Sequence, residues 1–147
     1  MRRKELNDRI GALSDRRDKL GSLVGASEQI RSIYDAIERI AAADGTVLIT
    51  GESGTGKELA ARAVHDLSAR APEPFIIADC AAMSGEMIER ELFGEDTRGS
   101  EAGWIHRGLV ARAEGGTLFL DEVAELDFAA QSLLLRFLES GVFRASG

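Results

Sequence analysis

The stretch VLITGESGTGKELAARAVH, residues 47–65, decides the fold. It begins with an apolar, β-branched run at residues 47–50, continues through a glycine-rich segment and ends with apolar residues at helical spacing. This order predicts a strand, a loop and a helix. The loop fits the pattern GxxxxGK, in which glycines let successive backbone N–H groups turn towards phosphate oxygens and the lysine adds positive charge. We therefore predict a phosphate-binding loop.

The predicted phosphate-binding residues are those of the loop and the one that follows it: Gly51, Glu52, Ser53, Gly54, Thr55, Gly56, Lys57 and Glu58. Glu58 stands where such loops usually carry a serine or threonine, whose hydroxyl binds magnesium. A metal ligand must therefore be sought elsewhere in the chain.

A pair of carboxylates follows a later apolar run. Residues 117–120 predict a strand that ends in Asp121 and Glu122. An aspartate at this place can hold magnesium, usually through water, while the next carboxylate can orient and deprotonate the water that attacks a phosphate. Residues 75–78 predict a further buried strand, which ends in Asp79. Apolar strands that alternate with helices predict an α/β fold with a doubly wound, mostly parallel sheet.

The composition is that of a globular protein. Hydrophobic residues make up 44% and charged residues 29% of the 147 residues, which excludes collagen-like and largely disordered chains. Residues 1–20 carry a net charge of +3 and the others −10, for a total of −7, so most of the surface would repel a DNA backbone. No apolar run is long enough to span a membrane, and the cytoplasm is the predicted location. The single cysteine, Cys80, is expected to be a small buried side chain.

The two ends of the chain predict helices. In residues 1–20, Leu6, Ile10, Leu13 and Leu20 follow a heptad-like spacing, which fits either a solvated linker helix or a weak coiled coil. Residues 21–147 would then form the domain itself. Within it, Ser27 and Ser84 are candidate helix caps, and Asp127 begins a helix whose predicted buried residues are Leu133, Leu134, Phe137 and Leu138. His65 is expected to be an ordinary surface residue.

Five motifs in order carry a resemblance to a known family: GESGTGKELAARAVH, PFIIADCAA, ERELFGE, GGTLFLDEV and QSLLLRFLESGVFR. They closely resemble the central AAA+ ATPase domain of bacterial enhancer-binding proteins, the transcription activators that remodel sigma-54 RNA polymerase. The resemblance extends from about Leu23 to Gly147. It implies the P-loop NTPase fold of an AAA+ α/β subdomain, without the lid subdomain, and a ring of subunits that binds ATP and magnesium.

The resemblance also implies roles for single residues. Lys57, Asp121 and Glu122 would be catalytic, and Asp121 would hold the magnesium ion, usually through water. Val24 and Gly25 would lie near the adenine, and Glu58 is the residue that this family characteristically has after GTGK. Asp79 occupies the position of a switch asparagine, but a carboxylate cannot donate a hydrogen bond to Glu122 as an amide does.

A second departure lies in the loop that should carry the sigma-contacting motif GAFTGA. Residues 95–108 read EDTRGSEAGWIHRG instead, and Trp104 there could either pack on the domain or anchor a partner. Two functions stay open. The overall resemblance favours an ATP-driven remodeller of sigma-54 polymerase, similar to the response regulators of two-component systems. Asp79 and the altered loop favour a nucleotide-gated regulatory or oligomerisation module that does not contact sigma-54.

The resemblance places further parts of the domain after Gly147, among them the arginine fingers and the helical lid. We therefore expect this chain to bind ATP but to hydrolyse it slowly, because an arginine finger contributes about 10³- to 10⁵-fold in rate. We also expect it to be monomeric or weakly associated, with ring formation and DNA contact left to a longer protein. The altered loop predicts that such a protein does not stimulate open-complex formation by sigma-54 polymerase.

Overall fold

The computed structural model describes residues 18–83, 85–96 and 105–140. The chain divides into two compact units, residues 1–71 and 72–147. None of the helices among the described residues is long and apolar enough to cross a membrane. The predicted linker helix lies outside the described residues up to residue 17, and the helix prediction is wrong at its end, because Lys19–Leu20 form a strand.

The described residues of the first unit form a β-hairpin and two helices. Strands β1 (Lys19–Leu20) and β2 (Leu23–Val24) pair antiparallel around a turn in which Gly21 has φ 58°, a value that favours glycine. Helix α1 (Glu28–Ala41) begins after the predicted cap Ser27, whose Oγ accepts a hydrogen bond from the Ile30 N–H at 3.3 Å. Helix α2 (Lys57–Leu67) packs against α1.

The second unit is built on two parallel strands. Strands β3 (Phe75–Asp79) and β6 (Thr117–Asp121) pair in register from Phe75 opposite Thr117 to Asp79 opposite Asp121. The rings of Phe75 and Phe119 stack across this register at a centroid distance of 6.3 Å. The predicted parallel sheet is confirmed in this pair, and its carboxyl edge brings two carboxylates to neighbouring strand ends.

In the described part of the second unit there are three α-helices: α3 (Gly85–Phe93), α4 (Leu109–Arg112) and α5 (Phe128–Ser140). The core consists of small and large apolar residues from the strands and helices: Ala78, Cys80, Ile88, Leu92, Phe93, Leu126, Ala130 and Leu134. The helix predicted to begin at Asp127 begins one residue later, and Asp127 caps it, since its Oδ1 accepts a hydrogen bond from the Ala130 N–H at 2.8 Å. The predicted cap of α3, Ser84, lies outside the described residues.

A short ribbon joins α3 to α4. Strands β4 (Glu95–Asp96) and β5 (Ile105–His106) pair antiparallel on either side of residues 97–104. Those residues, which include Trp104 and most of the altered loop, lie outside the described residues. The two ends of the segment that contains this loop are buried: Phe93, Gly94 and Gly108 are covered where the backbone of Gly108 crosses that of Gly94.

The strand predicted at residues 47–50 is not formed. Among the described residues, strands pair only as β1 with β2, β3 with β6 and β4 with β5. Val47 is 41% and Leu48 77% exposed. A short apolar run becomes a strand only when a neighbouring strand completes its hydrogen bonds, and this run has no such neighbour in the described part of the chain.

Burial also differs from the prediction at three residues. Leu138 is 49% exposed although it lies one turn beyond the buried Leu134 on the same side of α5. Ile77, predicted in a buried strand, is 39% exposed. His65 was predicted at the surface but is 4% exposed in α2. Helical spacing shows which residues share a face and not which neighbouring element covers that face.

Candidate nucleotide-binding site

The phosphate loop adopts backbone conformations that explain its glycines. Gly54 and Gly56 have φ values of 77° and 87°, in the left-handed region that side chains disfavour. Gly51 needs its small size for another reason, because a Cβ there would lie 2.9 Å from the Thr55 Oγ1. The predicted pattern GxxxxGK therefore corresponds to specific backbone requirements at these three glycines.

The Lys57 side chain forms hydrogen bonds across the phosphate loop. It is the first residue of α2, and its Nζ donates hydrogen bonds to the carbonyl oxygens of Gly51 at 3.2 Å and Glu52 at 3.1 Å. The Thr55 Oγ1 donates to the same Glu52 carbonyl at 2.8 Å. The ammonium group thus already lies across the loop, where a phosphate oxygen could exchange with the carbonyl contacts.

The amino-terminal end of α2 is suited to an anion. Its N-cap is Gly56, which supplies no side-chain hydrogen bond to the first turn. The first N–H groups of a helix have no partner within the helix, and the helix dipole makes this end positive. Backbone donors, dipole and the Lys57 ammonium therefore combine into the elements of a phosphate site. Glu52, Ser53 and Glu58 are exposed at this site.

Val24 and Gly25 lie in the same unit as the phosphate loop. Strand β2, which ends at Val24, contacts helix α2, and the Val24 side chain is 75% exposed. The Gly25 N–H donates to the carbonyl oxygen of Asp18 at 2.9 Å. An exposed apolar side chain beside the helix that follows the phosphate loop is a surface on which a planar base can rest.

The predicted catalytic carboxylates lie at the carboxyl edge of β6. The Asp121 Oδ1 accepts a hydrogen bond from the N–H of Glu122 at 3.0 Å. Glu122 has φ 49° and ψ 43°, and it is the one non-glycine residue with positive φ in the described part of the chain. This conformation costs about 1–2 kcal/mol, and such strain concentrates at functional sites. The exposed Glu122 side chain is accordingly held by a constrained backbone.

Asp79 has a capping role that its position in the sequence motif did not indicate. Its Oδ1 accepts hydrogen bonds from the N–H groups of Ala81 at 3.1 Å and Ala82 at 3.2 Å, and so caps the 3₁₀ turn Cys80–Ala82. Burial, followed by the negative charges of Asp79 and Asp121, raises the pKa of the Cys80 thiol above its ordinary value. Cys80 is buried as predicted, and its thiol stays protonated at neutral pH.

Replacing Asp79 tests this capping role. We expect Asp79→Ala to lower the free energy of unfolding by about 1 kcal/mol, because the 3₁₀ turn loses its acceptor. We expect Asp79→Asn to keep most of the stability, since the amide oxygen can accept the same hydrogen bonds. Urea unfolding followed by circular dichroism measures both. Equal losses in the two variants would contradict a role that depends on the acceptor oxygen.

Comparison with known proteins decides the family. Residues 23–147 match the family described as the Sigma-54 interaction domain. The chain belongs to this family. The crystal structure of NtrX from Brucella abortus in complex with ATP superposes with a TM-score of 0.76 at 37% identity, covering 96% of this chain and 29% of NtrX. The α/β P-loop NTPase fold predicted from the sequence is thereby confirmed.

Two characterised regulators give the same result by sequence. The sigma-54 interaction domain described here is 43% identical over 126 residues to the regulatory protein LuxO of Vibrio vulnificus, covering 84% of this chain and 28% of LuxO. It is 46% identical over 127 residues to the DNA-binding transcriptional regulator NtrC of Azospirillum brasilense, covering 85% of this chain and 26% of NtrC. This chain thus spans about a quarter of the length of these relatives.

Proposed function

We propose that this chain is the nucleotide-binding part of an ATP-driven transcription activator that acts on sigma-54 RNA polymerase in the bacterial cytoplasm. The observation that carries the proposal is the Lys57 ammonium held across a glycine loop at an uncapped helix N-terminus. Membership of the sigma-54 interaction family supports it. The longer protein would assemble into a ring, receive its signal as a response regulator does and contact DNA through a further domain.

In this proposal the phosphate loop binds the triphosphate. The Lys57 ammonium exchanges its contacts with the carbonyl oxygens of Gly51 and Glu52 for phosphate oxygens, and the N–H groups at the start of α2 donate to the same anion. Val24 and Gly25 support the base. These residues all belong to the first unit, so the binding determinants of the nucleotide are largely contained in residues 1–71.

The carboxylates of the second unit fit a magnesium ion by their chemistry. Asp121 and Glu122 supply the hard oxygen donors that this cation prefers. The residue directly after Lys57 is Glu58, which has no hydroxyl group to offer the metal. Asp121 would hold the ion, usually through water, while its Oδ1 keeps the Glu122 N–H in place. When bound, magnesium neutralises charge on the phosphate oxygens. Glu122 orients the attacking water and accepts its proton.

The family comparison favours the ATP-driven activator over the regulatory module that does not contact sigma-54. The regulatory module had two supports in the sequence, Asp79 and the altered loop. The Asp79 carboxylate caps its own turn, which gives this side chain a local structural role. Residues 97–104 of the loop lie outside the described residues. A transcription assay therefore decides between the two functions.

In the full-length protein, Glu122→Gln is expected to lower ATP turnover by about 10²- to 10⁴-fold and to leave ATP affinity within about twofold, because the general base is lost while the binding groups remain. Phosphate release and calorimetry measure the two quantities. Glu125→Gln is the matched control, since Glu125 is an exposed carboxylate in the adjacent 3₁₀ turn. A Glu122→Gln protein that hydrolyses ATP at the parental rate would contradict the role of the carboxylate.

The same proteins are then tested for open-complex formation at a sigma-54 promoter. The proposal expects ATP-dependent activation by the parent that is lost in Glu122→Gln and on deletion of residues 98–104. A parent that binds and hydrolyses ATP but never activates would instead support the regulatory module. The assay therefore separates nucleotide chemistry from action on the polymerase.

A further inference from the structure

The backbone of Gly25 is held from three directions. Its N–H donates to the Asp18 carbonyl oxygen at 2.9 Å, and its own carbonyl oxygen accepts from the buried Tyr34 hydroxyl at 3.4 Å. Atoms of the Ile30 side chain lie 3.1 Å from where a Cβ of Gly25 would be. Both polar backbone groups of one glycine are thus satisfied by the hairpin and by helix α1, which fixes the glycine relative to both.

An ion pair joins Asp18, the residue opposite Gly25 at the open end of the hairpin, to the same helix. The Arg31 Nη2 donates to the Asp18 Oδ1 at 2.7 Å, and the two side chains are 38% and 37% exposed. The Arg31 Nε is covered by protein and has no hydrogen-bond partner among the described residues. A buried donor without a partner raises the free energy of the folded state, so the placement of the Arg31 side chain calls for a reason.

We infer that Asp18, Arg31 and Tyr34 are positioning residues for the base of the nucleotide. Asp18 contributes twice, through its carbonyl oxygen to Gly25 and through its carboxylate to Arg31. Together the three residues fasten the end of β2, where Val24 is 75% exposed beside α2, onto helix α1. None of them needs to touch the nucleotide. The inference rests on the proposed function, in which Val24 and Gly25 support the base.

The proposed role makes a selective prediction. The described hydrogen bonds of Asp18, Arg31 and Tyr34 join the open end of the hairpin to helix α1, whereas the contacts that close the phosphate loop come from Lys57 and Thr55. Loosening the hairpin should therefore weaken the contribution of the base to binding and leave the contribution of the phosphates unchanged. A ligand with phosphates and no base separates the two contributions.

The test compares ATP with inorganic tripolyphosphate on the 147-residue chain by calorimetry. Arg31→Gln is expected to weaken ATP binding about fivefold and to leave tripolyphosphate affinity within about twofold, because the ion pair is partly exposed and acts indirectly. The exchange double variant Asp18→Arg with Arg31→Asp should restore most of the ATP affinity. Tyr34→Phe removes only the hydroxyl bond to Gly25 and should weaken ATP binding in the same selective way, to a smaller extent.

The matched control is Arg70→Gln, which breaks another Arg–Asp pair of the same unit, with Asp44 at 2.5 Å. It should change neither affinity. Unchanged ATP affinity in both Arg31→Gln and Tyr34→Phe would overturn the inference, as would an equal loss for ATP and tripolyphosphate. A separate result would contradict the proposed function: a Lys57→Ala variant that binds ATP and tripolyphosphate as tightly as the parent does.

Discussion

Lys57→Ala is expected to weaken ATP binding about 100-fold. A hydrogen bond that involves a charged group contributes about 1.5–3 kcal/mol, and about 2.7 kcal/mol corresponds to a factor of 100 in the dissociation constant. The Lys57 ammonium is the one cationic side chain that the structure describes as bonded across the phosphate loop. Isothermal titration of ATP into the parent and the variant measures the ratio directly.

Loss of Lys57 should have little effect on the fold. Its contacts with the Gly51 and Glu52 carbonyls are exposed, and water can replace them. Arg39→Ala is a control for the loss of one positive charge, because Arg39 is exposed in the last turn of α1. It should bind ATP like the parent. Equal affinities of Lys57→Ala and the parent would refute the phosphate-loop assignment.

Gly108→Ala is expected to lower the free energy of unfolding by about 3 kcal/mol, at the upper end of the usual cost of overpacking. A Cβ on Gly108 would lie less than 3.0 Å from backbone atoms of Leu92, Phe93 and Gly94. Backbone atoms cannot rotate away as a side chain can. Because total stability of a domain is about 5–15 kcal/mol, such a loss is easily detected by urea unfolding.

The clash would fall at the base of the β4–β5 ribbon. This ribbon is also joined to α3 by an ion pair between Arg90 and Glu95 at 3.1 Å and by a contact between the His106 Nε2 and the Glu91 carboxylate at 3.8 Å. Gly45→Ala is the matched control, since a Cβ there meets nothing within 4 Å. It should change the free energy of unfolding by less than about 0.5 kcal/mol. If both variants were equally stable, the close crossing of Gly94 and Gly108 would not hold the ribbon.

Local patterns predicted the features that depend on neighbours in the chain. The Ser27 cap is confirmed, and the helix predicted at Asp127 forms with Asp127 as its cap, because a cap bonds to a residue three positions later. Strands β3 and β6 are confirmed at nearly the predicted bounds. The prediction of a strand at residues 47–50 is wrong, because strand pairing depends on a partner strand that an apolar run does not specify. The predicted burial of Leu138 and the predicted exposure of His65 are wrong, because other elements of the fold decide which helix residues are covered.

The sequence by itself determined the phosphate loop, the acidic strand ends and the family, because these depend on short-range chemistry: glycines at left-handed φ, a lysine at a helix start and carboxylates after apolar runs. Only the tertiary structure decided how Gly25 is held by Asp18 and Tyr34 and how Gly94 crosses Gly108. The physical reason is that these contacts join residues 7 to 14 positions apart on different elements. Their distances follow from packing, which no local pattern encodes.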